Sequence, residues 1–162
     1  MKTSATIDPT GQYRYSLTRE WDSAGPRILF IMLNGSTADA EKDDPTIRRC
    51  IGFAKRWGYG SLEVVNLFGY RTTLPTELKK ALDPIGPDND QYITAAAKRA
   101  RRIIIAWGAH GAFKGRGKKV LGMLCRYGCK IECLGETKDG HPRHPLYIRN
   151  DTEPELYGGG IA

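Results

Sequence analysis

The residues able to do chemistry gather at four places. Asn34, Gly35, Ser36 and Thr37 follow directly on an apolar run, RILFIML (27–33), and three acids, Asp39, Asp43 and Asp44, come close behind. Asn66 lies near the end of a second apolar run, SLEVVNLF (61–68), with Phe68, Tyr70 and Arg71 at and beyond its end. Gly108, His110 and Gly111 follow a third run, and His141 and His144 share one loop, GHPRHPLY, each ahead of a proline. A side-chain amide carries a donor and an acceptor, which suits it to reading a nucleobase edge and equally to tying down a neighbouring loop. The small hydroxyls of LNGST fit a tight strand-to-helix turn as well as a water-holding site. Proline fixes the backbone after each histidine and so aims the imidazole, a group suited to proton donation or acceptance. Phe68 and Tyr70 read either as core or as stacking surfaces, and Arg71 as a surface charge or a phosphate contact.

Other chemistries lack their signatures. There is no GxxxxGK[ST] loop, no GxGxxG after a strand, no HExxH helix and no GxSxG elbow. His141 and His144 form HxxH without further zinc ligands. Cys125, Cys129 and Cys133 are spaced by four, with Cys50 apart and no CxxC pair, so neither a metal nor another cofactor is expected.

These groups need a scaffold. RILFIML reads as a buried parallel-type strand. A helix follows in DDPTIRRCIGFAKRWGYG, with Asp44 as N-cap, Pro45 at its first position and Gly58 past its end. SLEVVNLF is a second strand, PDNDQYITAAAKRARR (87–102) a second helix and IIIAWG (103–108) a third strand. GKKVLGMLCRYG (117–128) is a third helix, CKIECLG (129–135) a fourth strand, and TKDGHPRHPLYIRND a loop. YRYSLTREW, before residue 27, suits an added strand or hairpin. The alternation predicts an α/β fold, a three-layer sandwich with a short, mostly parallel four-stranded sheet, as a single domain over 1–162. Ligands of such sheets bind at the carboxyl ends of the strands, where all four clusters converge.

The chain of 162 residues carries 25 Lys and Arg against 18 Asp and Glu, a net charge of +7, which suits a polyanionic partner. The basic clusters at Arg48–Arg49, Lys55–Arg56, Lys98–Arg102 and Lys114–Lys119 read alternatively as solvated helix faces. No apolar run is long enough to span a membrane and MKTSATIDPTGQYRY has no signal-peptide core, so a cytoplasmic monomer is the expectation.

Taken together, LNGSTAD, DDPTIRRC, VNLFGYR, PIGPDND, AWGAHG and TKDGHPRHPLY resemble an uncharacterised bacterial and phage family with the signature Leu-Asn-Pro-Ser-Thr-Ala-Asp, over most of residues 12–149. The layout is also similar to the uracil-DNA glycosylase superfamily, whose mismatch-specific branch has Gly-Ile-Asn-Pro-Gly after its first strand. Met32-Leu33-Asn34-Gly35-Ser36 falls on that motif, Asn66 on the asparagine that reads the flipped base, and His144-Pro145-Leu146 on the late His-Pro-Ser loop, with His141-Pro142 as its rival. Gly35 stands where proline is preferred, and Leu146 where serine is.

That resemblance implies a monofunctional DNA glycosylase. Asn34 would position the water, with Asp39, Asp43 and Asp44 as candidate general bases or stabilisers of the sugar cation, and His144 would donate to the leaving base. Leu33, Gly35, Ser36, Asn66, Phe68 and Tyr70 would form the base pocket. Arg48, Arg49, Arg71, His141 and Arg143 would contact double-stranded DNA. The small Gly35 and Ser36 suggest a larger, modified base, such as a hydroxymethylated or glucosylated cytosine of phage DNA, in antiviral defence or repair. The alternatives are a non-catalytic nucleic-acid-binding module and a nucleotide or nucleoside hydrolase.

Overall fold

Runs of β-branched and aliphatic residues form the centre of a sheet, and flanking helices cover both its faces. The computed structural model describes residues 1–158. In chain order the elements are β1 (Lys2–Ile7), β2 (Arg14–Glu20), β3 (Arg27–Asn34), α1 (Pro45–Arg56), β4 (Ser61–Phe68), α2 (Pro75–Lys80), α3 (Asn89–Arg99), β5 (Arg102–Ile105), α4 (Arg116–Arg126), β6 (Ile131–Cys133) and β7 (Glu155–Leu156). Short 3-10 turns occupy Ala109–Gly115 and Pro145–Tyr147.

Among the described residues the sheet has seven strands, in the order β1-β2-β4-β3-β5-β6-β7. The four-stranded expectation is therefore corrected to a mixed sheet. The four expected strands, β3, β4, β5 and β6, run parallel at its centre. YRYSLTREW supplies β2, which pairs antiparallel with β4, and β1 extends it outward. The two-residue β7 closes the other side against β6. Without these additions the edges of β4 and β6 would leave a row of backbone groups unpaired.

Two apolar layers sandwich the sheet. On one face Ile47, Cys50, Ile51, Phe53 and Ala54 of α1 pack on Ile28 and Phe30 of β3 and Val64 of β4. On the other, Ile93 and Ala96 of α3 and Val120, Leu121 and Leu124 of α4 pack on Leu29, Ile31, Val65 and Ile103. The alternation of adjacent residues along β3 between these clusters is the period of two that a doubly covered strand requires. Asp44 is the N-cap of α1, its Oδ1 accepting from the Ile47 N–H at 2.8 Å, and Pro45 opens the helix. Among the described residues no helix is long and apolar enough to cross a membrane.

β3 is the pivot of the topology. The chain leaves it towards β4 through α1 on one face, then returns across it to β5 through α3 on the other. The loops after β3 and β5 thus depart to opposite faces and leave a crevice between the carboxyl ends of neighbouring strands, where open α/β sheets bind ligands.

Candidate functional site

A cavity of about 620 Å³ occupies this crevice. Met32, Leu33 and Asn34 come from the end of β3, Val64 and Asn66 from β4, and Thr72, Thr73 and Pro75 from the loop beyond β4. Trp107, Gly108, Ala109 and His110 follow β5, and Thr137, Arg143, His144, Leu146 and Tyr147 follow β6. Ser36, Asp44, Thr46 and Ile47 line the α1 side, and Arg14 reaches in from β2.

Asn66 is fully buried, and neither its Nδ2 nor its Oδ1 has a hydrogen-bond partner among the described residues. Its backbone is held firmly. Asn89, itself fully buried, donates Nδ2 to the Asn66 and Leu67 carbonyls at 2.8 and 3.0 Å, and Arg116 donates Nε to Leu67 O at 2.9 Å. An unpaired buried amide costs about 1–3 kcal/mol, which a ligand presenting the matching acceptor and donor recovers.

Asn34 ends β3 and is half-buried. Its Nδ2 donates to the carbonyls of Thr72 at 2.8 Å, Gly35 at 3.0 Å and Tyr70 at 3.3 Å. The donor side is spent on the neighbouring loop, and Oδ1 accepts no hydrogen bond among the described residues, so an acceptor is left for the cavity. Ser36 donates Oγ to Asp44 Oδ2 at 3.1 Å, which fixes the Asp44 carboxylate between the helix cap and the cavity.

His144 caps the 3-10 turn at Pro145–Tyr147, its Nδ1 accepting from the Leu146 N–H at 3.2 Å. Burial lowers its pKa below the ordinary 6.5, against the pull of the Asp44 charge. In the neutral ring Nδ1 is thus the acceptor, and Nε2 carries the proton as a donor. Arg49 of α1 secures this loop, donating Nε to Pro145 O at 2.9 Å and its two terminal nitrogens to Ile148 O and Asn150 Oδ1.

The structure thus gathers Leu33, Asn34, Ser36, Asp44, Asn66, Arg143 and His144 around one cavity. Other candidates lie elsewhere. Asp39 folds its Oδ1 onto the N–H groups of Glu41 and Lys42 at 2.9 and 2.8 Å, bonds that hold its pKa below the usual carboxylate value. Asp43 accepts from the buried Arg19 at 2.8 Å. Both carboxylates shape the β3–α1 loop outside the cavity lining. Phe68 is fully buried, its ring 5.6 Å from that of Phe113, and Tyr70 packs edge-on to Tyr13 at 6.2 Å, so neither faces the cavity. The aromatic walls are instead Trp107 and Tyr147. Gly35 lies behind the lining, and a Cβ there would meet the Arg14 guanidinium at 3.0 Å.

Among the candidate phosphate contacts, Arg49 is engaged by the loop it holds through all three of its nitrogens, and Arg71 donates to Ser36 O at 3.1 Å and Gly11 O at 3.3 Å. Arg48 and Arg143 are exposed, Arg143 at the cavity rim. His141 lines a second cavity of about 290 Å³ behind Trp107. Among the described residues no cluster of His, Cys, Asp or Glu is arranged to hold a metal ion. Cys50 and Cys133 are buried, Cys129 is half-buried and Cys125 is exposed.

Sequence reasoning missed Arg14, Trp107 and Tyr147. Trp107 was visible as the aromatic of AWGAHG, with glycines on its far side. A Cβ on Gly111 would collide with the indole, and one on Gly117 would sit 3.2 Å from its Nε1.

The chain belongs to the family described as "Protein of unknown function (DUF1643)", whose profile matches residues 14–146. No curated protein and no solved structure matches it.

Proposed function

We propose that this protein is a monofunctional DNA N-glycosylase that removes a flipped, modified base and leaves an abasic site. The observation that carries the reading is Asn66, a fully buried amide with both polar atoms unpaired on a cavity wall. A nucleobase edge offers the acceptor and donor that such a group lacks. The volume of about 620 Å³ has room for a base with a bulky substituent. The resemblance of the Asn34, Asn66 and His144 segments to uracil-DNA glycosylase motifs adds to this reading.

In the proposed reaction a water oxygen bonds to the sugar C1′ while the N-glycosidic C–N bond breaks. The bonding pair leaves with the base, and a proton from the water passes to solvent or to the departing base. Asn34 Oδ1 holds the water by accepting one of its protons. Asp44 sets a negative charge near the developing sugar cation. His144 donates Nε2–H to the base as it gains negative charge, and its depressed pKa keeps the ring neutral near pH 7. Asn66 reads the base edge between the walls of Trp107 and Tyr147. Asp39 and Asp43 drop out of the chemistry, being engaged in the β3–α1 loop. The net charge of +7 and the exposed Arg48 and Arg143 suit the duplex, and flipping the base costs a few kcal/mol.

The test is an abasic-site assay on duplexes carrying uracil, mismatched thymine, and hydroxymethylated or glucosylated cytosine, and on phage DNA with modified bases. Alkali-labile breaks on one substrate, lost in Asn34→Ala and Asn66→Ala, are expected. Uncut DNA with tight, salt-sensitive binding would make the protein a binding module instead.

A further inference from the structure

Three arginines are almost completely buried, and the structure treats them differently. Arg19 is 1% exposed and pairs with Asp43 at 2.8 Å, while donating also to the carbonyls of Thr18, Asp39 and Lys42. Arg116, likewise 1% exposed, pairs with Asp90 at 2.6 Å. Arg14 is 2% exposed and has no carboxylate within 4.0 Å among the described residues. Its guanidinium makes one hydrogen bond, from Nη1 to Ala38 O at 3.0 Å, and its Nε is buried with no partner. Of the three, only Arg14 lines the cavity. Desolvation pulls its pKa down to about 10, opposed by Asp44 through space and aided by the cations of Arg71 and Arg19.

A buried cation without a contacting counter-ion is costly, and a ligand that supplies the negative charge relieves that cost. The glycine in the first motif now has a physical reason. Gly35 has no Cβ, and the space a Cβ would take is bounded by Arg14 Cζ and Nε at 3.0 Å and Nη2 at 3.3 Å. The room that small residue leaves is filled by a cation rather than open to a larger base. A side chain at this position would press on the guanidinium.

We propose that Arg14 is a further catalytic residue, its guanidinium holding the negative charge that the base acquires as the C–N bond breaks. This rests on the glycosylase reading. The bonding electrons end on the base as an anion, and Arg14 donates N–H groups to its oxygen or nitrogen acceptors, with no proton transferred. An oriented cation in a dry site acts on developing charge without reorganising, which is where electrostatic stabilisation is largest. Asn66 reads which base has entered, and Arg14 responds to whether it carries charge.

The experiment compares two free pyrimidines by calorimetry at fixed ionic strength: uracil, neutral at pH 7, and barbiturate, which is anionic. The wild type is expected to bind barbiturate at least about tenfold more tightly. Arg14→Gln removes that preference, and Arg14→Lys, which keeps the charge but loses the planar fork, retains part of it. Gly35→Ala, which leaves Arg14 in place and only presses on it, weakens barbiturate more than uracil. An arginine that merely tethers Ala38 would lower the melting temperature in Arg14→Gln and leave the ratio of the two affinities unchanged. That outcome, or a wild type with no preference, overturns the proposal while leaving base binding intact. If neither pyrimidine binds, yet inorganic phosphate raises the melting temperature of the wild type and not of Arg14→Gln, Arg14 is an anion site and base excision fails. If phosphate protects both equally and neither pyrimidine binds, both readings fail.

Discussion

Glu63 and Asn66 stand three positions apart on β4, both about as buried as a residue can be, at 1% and 0% exposure. Glu63 is fully served. Ser16 donates to it at 2.9 Å, Arg27 at 3.3 Å, and Arg99 by two nitrogens at 3.0 and 2.7 Å. The Asn66 side chain has no partner among the described residues. The contrast repeats on β2, where Arg19 is paired and Arg14 is not. In both strands the satisfied group lies towards one end of the sheet and the unsatisfied one at the edge where β3 and β4 end. Burial does not separate the members of either pair; satisfaction does. Glu63 and Arg19 close their hydrogen bonds internally, whereas Asn66 and Arg14 leave theirs open at the cavity; Trp57 Nε1, Asn89 Oδ1 and Arg116 Nη1 are also unpaired, away from it.

The strongest challenge to that contrast is a pair of alanine variants. Glu63→Ala is expected to lose about 3–5 kcal/mol of unfolding free energy in urea titrations, as a broken buried ion-pair network does. Asn66→Ala should stay within about 1 kcal/mol of wild type, because no internal bond is lost, while base release falls roughly a hundredfold or more. Equal destabilisation by the two would end the comparison. Asp43→Ala extends the test to the arginines. It strands Arg19 without a counter-ion, so a loss of about 3 kcal/mol is expected with activity per folded molecule preserved. Loss of activity without loss of stability would return Asp43 to the chemistry.

A gentler test uses pH. Burial holds the folded-state pKa of His144 below 6.5, so the unfolded chain binds the proton first as the solution is acidified. Stability from this group is therefore present above pH 6.5 and lost as pH falls through 6.5 to the depressed folded value. Urea midpoints measured down this range should fall less steeply in His144→Gln than in wild type. The smallest effect is expected at Arg48, which is exposed on α1 with one long bond to Asp43 O at 3.3 Å. Arg48→Ala should leave stability within about 0.5 kcal/mol and reduce the salt slope of DNA binding by about one. No change in that slope would remove α1 from the DNA-facing surface.

The sheet's centre was legible because its signals are local. RILFIML carries the period of two buried on both faces, and Asp44-Pro45 announces α1 at the position where the helix starts. The β3 and β4 ends therefore brought Asn34, Ser36 and Asp44 together with Asn66 as expected. The edge strands were not legible in this way. β2 owes its place to antiparallel pairing with β4, a long-range register that no short window contains, and so Arg14 could not be placed at the cavity. Phe68 stayed open between core and stacking surface for a related reason. Its position at the strand end allowed either, and only α3 and the turn carrying Phe113, which close over that face, place it in the core. Which acid of the β3–α1 loop faces the cavity was not legible in sequence. Only their partners separate Asp44, which borders the cavity, from Asp39 and Asp43, which stabilise the loop.

The lining runs from Arg14 to Tyr147, and Arg49 reaches forward almost a hundred positions to hold Pro145. Translation therefore delivers the site in an unfavourable order. A ribosome adding about 5–20 residues per second exposes the floor, with Arg14 and Asn66, several seconds before it makes the histidine loop. Until then the open polar groups face water, and α1 presents an arginine with nothing to grip. A fragment ending ahead of residue 143 lacks Arg143, His144, Leu146 and Tyr147 of the lining. The cavity is thus assembled only once residues 143–147 have been made.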